Sequence, residues 1–330
     1  MNKDYSEEHE NEKLEMYLLL EAIYRKYGYD FRNYSRASLN RRIKHRMSIS
    51  GFGTISEMIH KAIYDRTFFE TFLADLSITV TDMFRDPTFF ISLRKEIFPM
   101  LKELHHIKIW VAGCSTGEEV YSLSILLKEE GLYDKSTIYA TDFNDSALKK
   151  AKEGIYNINL IKKYTSNYQI AGGIESFSDY FIAKYDSAIM DQSLKKNIIF
   201  SSHNLVTDGM FGEMDMVICR NVLIYFNRDL QNNVFKLFTE SLCEGGFLCL
   251  GTKETVRLSK YSHDYDDIVK GEKIYKKNSK PRLDITHINS NSNIEPVSTG
   301  FINKSATIIS EAKTKLEELQ RLIQSINPGN

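Results

Sequence analysis

The chain has 330 residues, long for one core, so two domains are the starting expectation. Its 43 basic and 44 acidic side chains leave a formal charge of −1, which excludes a globally polybasic character and sends the search for electrostatic partners to local clusters. The four cysteines form no C-x-x-C pair and no secreted-type framework, and the acidic N-terminal stretch has no apolar run long enough for a signal core or membrane span; the expectation is a soluble cytoplasmic protein.

Residues from about 12 to 100 read as all-helical. Leu14, Tyr17, Leu18, Ala22 and Ile23 form an amphipathic stripe that closes near Gly28. A second helix is predicted over SRASLNRRIKHRMSIS, ending at Gly51, with further helices over TISEMIHKAIY and RTFFETFLADLSI. Beyond residue 100 strand-like runs alternate with helices: KIWVAG, STIYATD, EMDMVICRN and GGFLCLG. That alternation predicts a mostly parallel sheet flanked by helices. Residues about 175 to 200 read as a small antiparallel excursion. The polar stretch 278–305 reads as a linker. Across 306–326, Ile309, Ala312, Leu316, Leu319, Ile323 and Ile326 follow a heptad, so that segment is expected to find a coiled-coil partner (another copy, a receptor, or the protein's own surface) or else to be a disordered tail.

The stretch IWVAGCSTGEEVY, residues 109–121, is a strand that turns through two glycines into a helix. This is how α/β proteins build cofactor pockets, although a plain structural turn reads the same way. The spacing is G-x-x-x-G, and Glu118 and Glu119 occupy the place where a pyrophosphate would need a close glycine approach. Asp142 ends the next strand, where a carboxylate commonly accepts hydrogen bonds from both ribose hydroxyls. Adenosine without phosphate but with positive charge describes S-adenosylmethionine.

AGCSTGEEVYSLSILL resembles the signature of the chemotaxis-receptor glutamate methyltransferases, the CheR family. SITVTDMFRDPTFF, YATDFNDSALKKAKEGIY, HNLV, ICRNVLIYFNRDLQ and GGFLCLGTKETV follow in the family's order. The likeness spans about residues 10 to 277. It implies a helical substrate-recognition domain over 1–95. It also implies a Rossmann-like S-adenosylmethionine-dependent methyltransferase domain over 96–277, carrying a small antiparallel β-subdomain.

The resemblance further implies that Thr79, Thr81 and Arg85 fall on cofactor-binding positions, with Thr79 replacing the usual asparagine. Arg85 would hold the methionine carboxylate through its two-donor fork. Glu119 rather than Glu118 would face the cofactor, Glu118 capping the helix. Asp142 would take the ribose, Asn204 and Leu205 the adenine, and Arg220 and Asn221 would lie at the C-terminal strand edge. Tyr225, near the transferring methyl, pairs with Arg85 as the catalytic couple. No metal is expected, and the product is S-adenosylhomocysteine.

A substrate glutamate is ionised at pH 7, so methyl transfer to it needs alignment and water exclusion rather than a general base. The expected substrates are glutamates in the cytoplasmic helical bundle of methyl-accepting chemotaxis receptors, reached through Arg36, Arg41, Arg42, Lys44 and Arg46. The competing nucleic-acid reading of this basic run lacks interleaved aromatic platforms, so no nucleic acid is expected. KYDSAIMDQSLKKN lacks the glycine-containing loop of pentapeptide-binding members, which implies a pentapeptide-independent enzyme. The rival readings are a methyltransferase for another protein of a chemosensory-like pathway and a non-catalytic regulatory module that binds the cofactor or its product.

Overall fold

The computed structural model describes residues 2–77 and 81–279, with side chains from residue 9. Thr79, all but the start of the 278–305 linker and the 306–326 heptad segment lie outside the described residues. Four helices come first: α1 (Asn2–Tyr27), α2 (Arg36–Ser50), α3 (Ile55–Tyr64) and α4 (Arg66–Leu76). Glycine ends α2 as expected: Gly51 adopts φ 73° and its N–H caps the Met47 and Ser48 carbonyls. Thr54 and Asp65 cap the next two helices through their side chains.

In α1 the stripe is shifted from the sequence reading. Leu19, Leu20 and Ile23 enter the core while Leu14, Tyr17 and Leu18 face solvent. The run of three leucines satisfies more than one helical face, and packing of α1 against α3 selects the later one.

Residues 87–101 are helical too: α5 (Pro87–Ser92) passes through a π-helical turn into α6 (Phe98–Leu101). Their Phe89, Phe90, Leu93, Ile97 and Phe98 share a core with the sheet, not with α1–α4. The helical layer with its own core therefore stops near residue 77 rather than 95.

The remaining elements alternate. They are β1 (Ile107–Ala112), α7 (Glu118–Glu129), β2 (Ser136–Asp142), α8 (Asp145–Glu153), β3 (Ile155–Asn157), α9 (Ile158–Ile170), β4 (Phe181–Lys184), β5 (Ser187–Met190), β6 (Ile198–Ser202), β7 (Met214–Cys219), α10 (Arg228–Ser241), β8 (Leu242–Leu250), β9 (Tyr265–Val269) and β10 (Ile274–Lys277). The main sheet has the order β6-β2-β1-β7-β8-β10-β9. Its first five strands are parallel, and the β8–β10–β9 edge is antiparallel. From β1 the chain winds outward to β2 and β6, then returns to add β7 and β8 on the other side. This reversal leaves a crevice beyond the carboxyl ends of β1 and β7, where open α/β sheets bind ligands.

The small antiparallel sheet has the order β3-β5-β4. It begins at Ile155, some twenty residues before the expected excursion, and α9 lies within it. Residues 198–202, expected in the excursion, instead pair in parallel with β2 of the main sheet. A three-residue strand directly after a helix carries no visible alternation, which hides β3 in the sequence. The β4–β5 hairpin turns without glycine, through Tyr185 at φ 51°.

Candidate active site

A solvent-open cleft lies over the carboxyl ends of the parallel strands. Its strand-end wall is built by loops after β1, β2, β6 and β7. Two glycines make the first loop possible. Gly113 has φ 77°, and a Cβ there would stand 2.6 Å from Val222 Cγ2; Gly117 has φ 92°, and a Cβ would meet Ala151 at 2.9 Å. Between them Ser115, itself at φ 51°, donates its N–H to Asp142 Oδ2 at 2.9 Å.

Asp142 Oδ1 accepts from the Asn144 N–H at 2.9 Å. Burial raises the Asp142 pKa, while these backbone donors pull it down. Each carboxylate oxygen keeps a further lone pair for a hydroxyl donor.

The two adjacent glutamates part ways. Glu119 lines the cleft and accepts from Arg220 Nη1 at 2.5 Å. Glu118, only 5 % exposed, lies behind the loop, with Thr116 Oγ1 donating to it at 2.6 Å and the Tyr164 hydroxyl at 3.5 Å. Burial pushes its pKa up to about 7. Helix α7 has Gly117 at its N-cap with no side-chain cap, so Glu118 is an internal carboxylate rather than the expected capping residue.

Arg220 has a side chain 1 % exposed and bridges Glu119 to Asp86, whose Oδ2 lies 2.8 Å from Nη2. Its guanidinium lies over the Phe89 ring at 4.1 Å. Arg220 thus forms the cleft floor and fixes two carboxylates, Glu119 and Asp86. Asn221 follows at φ 62°, and its N–H is held by Glu254 Oε2 at 2.9 Å. Glu254 also accepts from the Gly251 N–H at 2.6 Å and the Ile224 N–H at 3.3 Å, fixing the turn that leads to Tyr225. Burial raises its pKa. Sequence gave one faint signal for it, an acid inside the apolar GGFLCLGTKETV stretch.

Asn204 and Leu205 line the cleft. Asn204 also serves a turn: Oδ1 accepts from the Val206 N–H at 3.0 Å. Thr81, Arg85 and Tyr225 line it as well. Nearby, Asp82 pairs with Lys163 and Asp86 with Arg220.

The opposite wall is helical. Tyr34, Ser38, Leu39 and Arg42 close the cleft from the N-terminal layer. The loop before α2 is stitched to the Tyr225 segment: the Ser35 N–H donates to Tyr225 O at 2.7 Å and the Asn227 N–H to Asn33 O at 2.9 Å. The Tyr34 ring meets Phe226 edge-on at 4.9 Å. Arg42 donates to the Asp75 and Leu76 carbonyls at 2.9 and 3.0 Å, and its guanidinium stands 5.6 Å from the Tyr225 ring centroid.

The structure therefore divides the basic set. Arg42 turns to the cleft, Arg46 is bound to Asp75, Lys44 pairs with Glu12 at 2.8 Å, and Arg36 and Arg41 are exposed. Charges at these spacings point around the helix rather than along one face.

The cleft fits an adenosine-bearing cation. Among the described residues, eight buried side-chain polar atoms lack a partner, and four of them belong to cleft residues: Arg42 Nε, Ser115 Oγ, His203 Nδ1 and Arg220 Nε. Buried polar atoms without partners in a protein are few and call for an explanation such as a ligand. Carboxylates at Glu119 and Asp142 suit a cation and a ribose. Among the described residues no group of His, Cys, Asp and Glu is placed to hold a metal ion, and no helix is long and apolar enough to cross a membrane.

Residues 14–77 match the family described as CheR methyltransferase, all-alpha domain, and residues 79–272 match CheR methyltransferase, SAM binding domain. The Cher3 protein of Pseudomonas putida is 49 % identical over 267 residues, covering 81 % of this chain and 98 % of that one. A chemotaxis protein methyltransferase of Borreliella burgdorferi is 30 % identical over 75 % of this chain and 90 % of its own. One from Listeria monocytogenes is 29 % identical over 71 % and 87 %. With both domains matched in order across the cleft just described, the chain belongs to the CheR family of S-adenosylmethionine-dependent methyltransferases.

Proposed function

We propose that this enzyme methylates glutamate side chains of methyl-accepting chemotaxis receptors, forming glutamate methyl esters that tune signalling during adaptation. The observation that carries the reading is the convergence in one cleft of Arg85, Glu119, Asp142, Asn204, Leu205 and Tyr225, facing Arg42 of the helical layer. Bound S-adenosylmethionine supplies an activated methyl group on a sulfonium sulfur.

The chain's own residues bind and align. Arg85 takes the methionine carboxylate, Asp142 accepts from the ribose hydroxyls, and Asn204 and Leu205 border the adenine. Glu119, oriented by Arg220, faces the positive end of the ligand. Thr81 and Asn221 complete the binding set, with Thr79 expected beside them. The Tyr225 phenol orients the incoming carboxylate, and its ring face favours a nearby cation. A carboxylate substrate arrives ionised, so no residue is required to remove a proton.

The exposed Arg36 and Arg41 favour approach to an acidic helical surface. Docking through the helical layer alone, without a receptor pentapeptide, is part of the proposal, as is action in the cytoplasm.

The test uses methyl-labelled S-adenosylmethionine, the purified protein and membranes bearing the host's chemoreceptors. Label on receptor bands that mild base releases as methanol, and that Arg85→Ala abolishes, is the expected result. Base-stable label, or label on a different protein only, would overturn the receptor-glutamate reading. Cofactor binding without any transfer would favour a regulatory module.

A further inference from the structure

Arg85 sits between two non-glycine residues at positive φ, Phe84 at 51° and Asp86 at 54°. A bulky aromatic in the left-handed region is sterically disfavoured and persists only where its surroundings over-determine it. Part of that determination is internal to the sheet domain. The Phe84 N–H donates to Ser122 Oγ at 2.8 Å, and Arg220 reaches Asp86 Oδ2 at 2.8 Å and Arg85 O at 3.4 Å.

The rest comes from α9, a helix of the small-sheet insertion. Lys163 pairs with Asp82 at 2.7 Å, Asn167 Nδ2 donates to Met83 O at 3.0 Å, and the Tyr168 ring meets the Phe84 ring edge-on at 5.2 Å. Tyr164, on the same face, reaches Glu118. Residues 163, 164, 167 and 168 are neighbours on one side of a helix, so this face presents consecutive grips to consecutive loop residues 82, 83 and 84.

These grips are unequal. Lys163 is 59 % exposed, and an ion pair so placed contributes little. Tyr168 also packs on Phe177, and its hydroxyl is bound to Glu129. Asn167 alone of the three takes hold of the loop's backbone, and Met83 is fully buried, so losing that donor deprives a buried carbonyl of its partner.

We propose that Asn167 is a positioning residue for Arg85: through the Met83 carbonyl it fixes the doubly left-handed loop that presents the guanidinium to the ligand's carboxylate. The small-sheet insertion thereby sets cofactor affinity. This rests on the reading of Arg85 as the carboxylate contact.

The test measures, by calorimetry, binding of S-adenosylhomocysteine and of its decarboxylated analogue to the full chain, in Asn167→Leu, Asn167→Asp and Arg85→Ala. The Leu and Asp variants are expected to bind S-adenosylhomocysteine about tenfold more weakly, the loss of one hydrogen bond to a buried group, while the analogue binds as it does to wild type. Hydrogen exchange should accelerate across residues 81–90 in the same variants, which keeps the proposal testable if only one of them folds. An equal loss for both ligands would make Asn167 merely structural and overturn the proposal. So would unchanged affinity, or unchanged exchange in that segment. If Arg85→Ala itself fails to discriminate between the ligands, the Arg85 reading is what has failed, and the proposal falls with it.

Discussion

The two walls of the cleft are built on different principles. The strand-end wall is local: Gly113, Ser115, Gly117 and Glu119 lie within seven residues, and Asp142 reaches them through one backbone hydrogen bond. The helical wall is non-local: Tyr34 and Ser35 are tied to Tyr225 and Phe226, nearly two hundred residues away. The first wall offers carboxylates and backbone donors, the vocabulary of ligand binding. The second offers a guanidinium and aromatic rings around Tyr225. Under the proposed function this difference would give most of the ribose and sulfonium contacts to the strand ends and selection of the protein substrate to the helical layer, and each assignment can be broken separately.

The largest effect is expected from Asp142→Ala. Removing a carboxylate that serves two hydroxyls should weaken S-adenosylhomocysteine binding roughly 100-fold, about 2.7 kcal/mol, as measured by calorimetry. A loss below about threefold would take the ribose role away from Asp142.

Glu118→Gln separates structure from binding within the same wall. The Glu118 pKa in the fold is about 7 against 4.5 ordinarily, so the folded chain binds more protons than the unfolded chain between those values. Stability is therefore present below about pH 4.5 and lost as pH rises to about 7, by an amount on the order of 3 kcal/mol for a group so buried. The glutamine variant should be more stable than wild type by about 3 kcal/mol at pH 8 and converge with it near pH 4.5, seen in denaturant unfolding at both pH values. The variant keeps part of the wild-type pH slope, since burial raises Asp142 and Glu254 as well. Ligand affinity should stay within about twofold, because Glu118 faces away from the cleft. Identical pH profiles for the two proteins would contradict the buried-carboxylate reading.

Legibility in the sequence follows the same division. Gly113, Gly117 and Asp142 could be read because positive φ and strand ends leave short-range marks. The α/β alternation and the helix stops at Gly28 and Gly51 were legible for the same reason. Tyr34 and Arg42 carried no such mark, since their place depends on how the helical layer docks. Glu118 was misread because an acid in a helix's first turn looks alike whether it caps the helix or is buried behind it. Asn167 could not be found at all: an amide on an exposed-looking helix gives no hint that it grips a strained loop.

Arg42→Met tests the helical wall. It keeps the apolar stem while removing the charge near Tyr225 and the bonds to the Asp75 and Leu76 carbonyls. Receptor methylation should fall about tenfold in kcat/KM, with S-adenosylhomocysteine affinity within about twofold of wild type. Parallel losses in both would merge the two walls into one site and erase the proposed division of labour.

The smallest effect is the most diagnostic of approach as opposed to fit. Arg36 and Arg41 lie exposed on α2. Their charges act on an acidic partner through solvent, over distances that salt screens within about 8 Å at physiological ionic strength. Replacing both by glutamate should slow receptor methylation about threefold to tenfold at low salt, through encounter rate rather than turnover. At roughly 0.5 M salt the difference from wild type should nearly vanish, as the screening length shrinks below the separation of the surfaces. Arg42→Met, acting inside the cleft, should keep its deficit there. A salt series on both variants thus sorts steering from positioning on a single helix. If the Arg36/Arg41 deficit survives high salt, these residues make direct contacts, and substrate fit extends from the cleft along the outer face of α2.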